Sequence, residues 1–232
     1  MSAVAEVIVV GAGLAGIAAA TRLGKRGVRV IVLEAKDSPG GRAATSEALG
    51  RPVDLGASWL HGTKDNPLHD RARAEGLAVV PFDYDSIALY RSDGARETAS
   101  LDAMDRFEEA LERLGRGAAR KDSVADRIAR LDGRSHDGLS PAVRDILVAT
   151  VLEEEYAADI HELSARALEE GRSMRGADAI LQGGYAELYL PLCSQLDIRF
   201  GTAVSEIDLG GDGVTVTTSA GRFTADQLIL TV

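Results

Sequence analysis

This 232-residue chain has a single cysteine, and it lacks long apolar runs and an excess of positive charge. The single cysteine, Cys193, cannot form an internal disulfide, so no disulfide frame organises the fold and a reducing, cytoplasmic setting is expected. Cys193 lies in an apolar helix-like run, where it reads as a small buried hydrophobe rather than a nucleophile. No apolar run reaches the roughly 20 residues needed to cross a bilayer. Residues 1–5 are too short for a signal peptide, because 7–10 already begin the fold. The formal net charge is -10 and no basic patch is present, which argues against nucleic acid and against an anionic membrane surface. The acids are spread along the chain, as in a surface made for solubility. No internal repeat or low-complexity segment interrupts it.

What the chain has is glycine, 25 residues of it, in telling places. Residues 6–10 are a β-branched apolar run, the mark of a strand buried on both faces. Gly11, Gly13 and Gly16 follow in G-x-G-x-x-G spacing, with Ala12, Leu14 and Ala15 between them. The first glycine allows a tight turn, the second a close approach by a diphosphate, and the third close packing of the next helix on the strand. That helix is predicted over 14–25, and its unpaired first-turn N–H groups and positive dipole end suit an anion. A second buried strand, 28–33, ends at Glu34, where an acid accepts hydrogen bonds from a ribose hydroxyl. The combination points to a Rossmann-type dinucleotide site.

Three groups of residues here carry a resemblance: the glycine turn, then Leu33-Glu34-Ala35, then Pro39-Gly40-Gly41-Arg42. Together they resemble the N-terminus of the FAD-dependent amine oxidases. In that family the second Gly-Gly-Arg lies along the pyrophosphate and ribitol of FAD. Lys36 stands where the family usually carries arginine, keeping the charge and losing the planar fork. The run from Asp54 to Gly62 resembles the polyamine oxidase branch. The resemblance implies that Gly56, Ala57, Ser58 and Trp59 pass beside the flavin ring, and makes His61 a candidate pocket residue near the amine. From the residues alone, Trp59 reads equally as a core aromatic and His61 as a turn histidine.

Farther along, 66–75 reads as a helix stopped by Gly76, with strand-like pieces at 77–80 and 87–90. Residues 100–171 are mostly helical and highly charged. Leu101, Met104, Phe107, Leu111 and Leu114 make one stripe, with Ser100 as cap. Val124, Ile128 and Leu131 mark a short helix, and Ser140-Pro141 starts another with Val143, Ile146, Leu147 and Val151 as its apolar face. Glu153 to Glu155 read as a solvated acidic face, since no histidine sits at metal-ligand spacing; no metal is expected. Another helix is expected from Leu163-Ser164 to Gly171, and Tyr156 reads as a core tyrosine. A leucine-rich helix spans 185–196 with Leu188, Leu190, Leu192 and Leu196 for burial. A strand at 197–200 follows, then a hairpin of 203–209 with 214–218, a short strand 222–225 and a separate apolar strand 227–232. In the family, the residue matching Val204 pairs through its backbone with the adenine of FAD.

The expected fold is α/β. A Rossmann-type FAD-binding lobe (parallel sheet plus β-meander) spans 1–83 and 181–232, and a mainly helical substrate-domain portion spans 84–180. The resemblance covers only the first half of the family's pattern. The family's aromatic cage and the lysine beside flavin N5 lie past the strand matching 228–232, and a buried strand rarely ends a chain uncapped. The expectation is therefore the FAD-binding portion of an enzyme that oxidises an amine with dioxygen and releases peroxide. It would need a C-terminal half or a partner polypeptide, and no catalytic acid or base is assigned. Two alternatives stand beside it. One is a shortened FAD-binding or interaction protein using the apolar edge at 227–232. The other is a different flavin oxidoreductase, of the carotenoid desaturase or protoporphyrinogen oxidase kind, against which the 58–62 run weighs.

Overall fold

The computed structural model describes residues 5–82, 88–96, 101–131, 138–170 and 174–232. The chain divides into two compact units, residues 1–83 with 174–232, and residues 84–173.

In the first unit, β1 (Ala5–Val10) leads through the glycine turn into α1 (Leu14–Gly24) and back into β2 (Val30–Leu33). Strands β3 (Thr45–Ser46) and β4 (Val53–Asp54) pair as a small ribbon. Then come β5 (Trp59–Leu60), α2 (Pro67–Ala74) and β6 (Val79–Pro81). On the return, β7 (Ala179–Leu181) inserts antiparallel between β5 and β6, which is why residues 174–180 belong to this unit.

The main sheet has the order β8-β2-β1-β11-β10-β9. Strands β8 (Asp197–Arg199), β2, β1 and β11 (Gly221–Leu230) run parallel, while β9 (Val204–Asp208) and β10 (Val214–Thr218) form an antiparallel meander with the start of β11. Ile8, Val9, Val32 and Leu33 are almost wholly buried, as a strand covered on both faces requires. The two short final strands expected from the sequence are one ten-residue strand. Its first half pairs with β10 and its second half with β1, so the chain changes partner without breaking.

Helix α7 is counted after the helical unit and spans Ala186–Cys193. Leu188 and Tyr189 are its buried residues, whereas Leu190 is 50% exposed, contrary to the burial expected of it. Pro191 lies inside this helix.

The second unit contains α3 (Leu101–Glu112), α4 (Val124–Ile128), α5 (Pro141–Val148) and α6 (Glu154–Tyr156). Phe107, Leu111, Val124, Val143, Leu147 and Leu152 form its core. Ser140 caps α5, accepting from the Val143 N–H at 3.3 Å with Pro141 at the first position. A capping box of Ser123 and Asp126 starts α4. A π-helical turn over Ala149–Glu153 joins α5 to α6. Val143 and Leu147 are the buried residues of α5, whereas Ile146 is 39% exposed, contrary to the burial expected of it. Tyr156 is exposed as well, which corrects its reading as a core tyrosine. Glu153 accepts from the Ile160 N–H at 3.2 Å. The segment opened by Ser164 is a short 3-10 turn, Ala165–Glu169. The expected cap Ser100, the strand start Ile87 and the stop Gly171 lie outside the described residues.

Candidate functional site

Gly11 begins the turn after β1 with φ +100, a conformation that favours glycine, and its N–H donates to the Leu33 carbonyl at 2.8 Å. A Cβ on Gly16 would collide with the Gly11 carbonyl, so strand and helix meet only because that residue has none. Gly13 is different. Its backbone is extended (φ -75, ψ 176), which any residue tolerates, and a Cβ there would meet no protein atom within 4 Å. Neither its angles nor the space around it requires glycine, although as the N-cap of α1 it favours glycine over an aliphatic residue. The space above it lies at the N-terminus of α1, where N–H groups lack helical partners. A diphosphate would use the room that a side chain would fill.

The second glycine turn docks on the first. The Gly40 N–H donates to the Ala12 carbonyl at 2.8 Å, and Gly13 and Gly40 form a parallel bridge. Gly40 has φ +109 and also faces the Tyr189 hydroxyl, which leaves no room for a Cβ. Gly41 lies over Gly13. Arg42 follows in a short helical turn, Gly41–Ala43, with its side chain exposed and without an ion pair among the described residues. Its carbonyl receives the Ala57 N–H at 3.0 Å, and Gly56 packs against the same oxygen. Gly11, Gly13, Gly40, Gly41, Arg42, Gly56 and Ala57 thus form one continuous backbone seam that continues through Ser58 to Trp59. Leu14 and Ala15 occupy the first turn of α1.

Beside the seam, a cavity of about 450 Å³ opens between the ends of β1 and β2 and the start of β9. Gly11, Glu34, Ala35, Thr202, Val204 and Ser205 line it. Glu34 is 9% exposed; its carboxylate accepts the Ala12 N–H at 2.6 Å and the Lys36 N–H at 2.9 Å. It therefore fastens the glycine turn to β2. An ionised carboxylate has about four acceptor positions, so this still leaves capacity toward the cavity. Lys36 itself is exposed.

At the far end of the seam, Trp59 is 39% exposed and sits on the open face of the β5-β7-β6 sheet. Phe82 meets it edge-to-face at 5.6 Å, and His61 lies alongside at 6.3 Å. Tyr185 donates its hydroxyl to the Trp59 carbonyl at 2.5 Å, and burial, then the Asp54 carboxylate, raises its pKa and keeps it a donor. Asn66 ties His61 down: its Nδ2 donates to the carbonyls of His61 and Gly62 at 3.1 and 3.0 Å, while its Oδ1 caps α2.

The sequence motifs did not disclose Asp178, which meets His61, nor Tyr189 against Gly40, nor Phe82. Each lies far along the chain from its partner and has no local signature; only the pairing of β7 between β5 and β6 brings Asp178 and Phe82 in. Tyr189 could have been suspected from its place in an apolar helix after Gly183-Gly184-Tyr185.

Comparisons with known proteins agree with this geometry. The family described as flavin containing amine oxidoreductase matches residues 14–232. Polyamine oxidase 2 of Arabidopsis thaliana is 32% identical over 98% of this chain and 50% of its own length. Lysine-specific histone demethylase 1 homolog 2 of Oryza sativa subsp. japonica is 36% identical over 98% of the chain and 32% of its own length. A putrescine oxidase redesigned in its cofactor binding shares the fold, with a TM-score of 0.67 at 22% identity, covering 98% of this chain and 58% of that one. The chain spans about half the length of the polyamine oxidases it matches.

Proposed function

We propose a function from one premise: the chain belongs to the flavin containing amine oxidoreductase family. FAD is the cofactor this membership implies. In our reading the chain is the FAD-binding portion of a flavin amine oxidase. The observation that carries the reading is Gly13, where neither backbone nor packing calls for glycine and the space at the start of α1 stays open.

The residues present fit FAD. The glycine turn and Gly40-Gly41-Arg42 would hold the diphosphate, with Arg42 supplying positive charge. Glu34 would take ribose hydroxyls on the acceptor capacity left by Ala12 and Lys36, and the backbone of Val204 would meet the adenine. Gly56, Ala57, Ser58 and Trp59 would border the flavin. Bound FAD would supply the redox chemistry, a two-electron oxidation of an amine with dioxygen as final oxidant, giving hydrogen peroxide and an imine that water would hydrolyse to an aldehyde and an amine or ammonia. What the chain contributes is orientation of the dinucleotide and an aromatic wall at Trp59 and Phe82. The relatives are named for polyamines and for histone lysine, which supports an amine substrate. We propose a polyamine.

The rest of the family's length would come from a second polypeptide or from further sequence. No described helix is long and apolar enough to cross a membrane; with one free cysteine, that supports a cytoplasmic setting. The test is to purify the chain, record its flavin spectrum, and assay peroxide release with a panel of di- and polyamines, alone and with candidate second halves. Flavin bound, with turnover appearing when the second half is added, is the expected result. Absence of flavin in every combination contradicts the reading.

One observation favours a second reading, an interaction protein. β10 stops pairing at Ala225, so residues 226–230 of β11 have β1 on one edge and no strand on the other among the described residues. Stable pairing with another chain without flavin would support it.

A further inference from the structure

The open face of the β5-β7-β6 sheet carries a hydrogen-bonding device at its end. Trp59, Ile180 and Val80 are in register across the three strands, while Leu60 and Ala179 face the core. Past the ends of these strands lie His61, Asp178 and Phe82, with the Phe82 N–H donating to the Asp178 carbonyl at 2.9 Å. The Asp178 carboxylate takes two contacts from one turn. One oxygen is 2.8 Å from His61 Nδ1, and the other accepts the Gly62 N–H at 2.8 Å. The His61 side chain is 68% exposed, against 20% for Asp178.

The chemistry of this pair is constrained. A backbone N–H can only donate, so one carboxylate oxygen is committed to Gly62. The other oxygen is an acceptor too, and Nδ1 must therefore carry hydrogen. In a neutral imidazole that makes Nε2 an acceptor. Asn66 holds the backbone of the turn through the carbonyls of both His61 and Gly62, and Trp59 lies alongside the ring.

We infer that Asp178 is a positioning residue: it holds His61 in the Nδ1–H form, so that Nε2 presents a lone pair, beside the aromatic wall of Trp59 and Phe82, to a ligand that donates an N–H. The ligand class is an aliphatic amine. An alcohol-free, acceptor-only ligand such as a tertiary amine oxide finds no donor there. This inference rests on the functional reading above for the identity of the amine, but the hydrogen-bond polarity stands on geometry alone.

The variant that isolates the effect is Asp178→Asn. Its single amide oxygen can satisfy Gly62, which leaves the turn in place, and its NH₂ then faces Nδ1. The imidazole must invert to Nε2–H. The experiment is nitrogen-15 long-range correlation NMR of the His61 ring in the full chain with FAD, at a pH where the ring is neutral, with spermidine as the probe. Wild type should show Nδ1 protonated and Nε2 bare, and spermidine should shift the Nε2 signal. D178N should show the reverse tautomer and a spermidine response about three- to tenfold weaker, the worth of one hydrogen bond. Asp178→Ala should show no fixed preference. A wild-type ring protonated at Nε2, or a tautomer that ignores both substitutions, overturns the inference, and the wild-type spectrum alone decides that point if a variant fails to fold. The two readings separate cleanly. Flavin binding with a mobile tautomer defeats the role of Asp178 and spares the function; a fixed tautomer in a chain that never binds flavin does the opposite.

Discussion

Two glycines of one motif make opposite demands. Gly16 is required by the fold, since any Cβ strikes the Gly11 carbonyl. Gly16→Ala should lower stability by about 1 to 3 kcal/mol, the cost of overpacking, read as a shift in the denaturant midpoint. Gly13 is open to a Cβ, so Gly13→Ala and Gly13→Val should cost no more than about 1 kcal/mol, the loss of a favoured N-cap residue, while Gly13→Val weakens FAD binding at least tenfold by flavin fluorescence titration. A loss of stability in the Gly13 variants equal to that of Gly16→Ala would show that Gly13 is structural. Cys193 gives a pH-dependent test. Burial raises its thiol pKa, so less thiolate is present at neutral pH than for an ordinary cysteine. Its alkylation by iodoacetamide in the folded chain should be slow at neutral pH and keep climbing past the usual thiol range, whereas the unfolded chain should react faster. A fast neutral-pH reaction would make Cys193 an exposed thiol instead.

Elements that announce themselves locally are readable in the amino-acid sequence: the β1-turn-α1 unit through its glycines, α2 through its stop at Gly76, and α5 through Ser140 and Pro141. What failed to show depended on partners far away. Residues 222–225 and 227–232 looked like two strands because Asp226 interrupts the apolar pattern, yet pairing on opposite edges joins them into one. Ile146 and Leu190 match an apolar face by type, yet α5 buries Val143 and Leu147, and α7 buries Leu188 and Tyr189. The His61–Asp178 contact spans 117 positions and has no local signature. Asn66 matters at this scale, because one side chain both starts α2 and holds the turn bearing His61. Asn66→Ala should cost about 0.5 to 2 kcal/mol in thermal or chemical unfolding, the range for a lost helix cap, and should broaden the His61 resonances. Sharp, unshifted His61 signals in that variant would mean that the turn is held by Asp178 and strand pairing alone.

At the scale of the molecule, the glycine turn, the Glu34 cavity and the Val204 strand all belong to the first compact unit. The dinucleotide end of FAD should therefore bind to this chain, which spans about half the length of the polyamine oxidases it matches. It follows that ADP, which carries the diphosphate and adenosine without a flavin, should compete with FAD for the chain. The most direct measurement is a titration of the purified, folded chain with FAD, followed by displacement with ADP, in wild type and Gly13→Val. One FAD is expected to bind per chain, to be displaced by ADP, and to be lost in the folded variant. A folded wild-type chain that binds no FAD, or one whose FAD binding is indifferent to both ADP and Gly13→Val, would contradict this expectation.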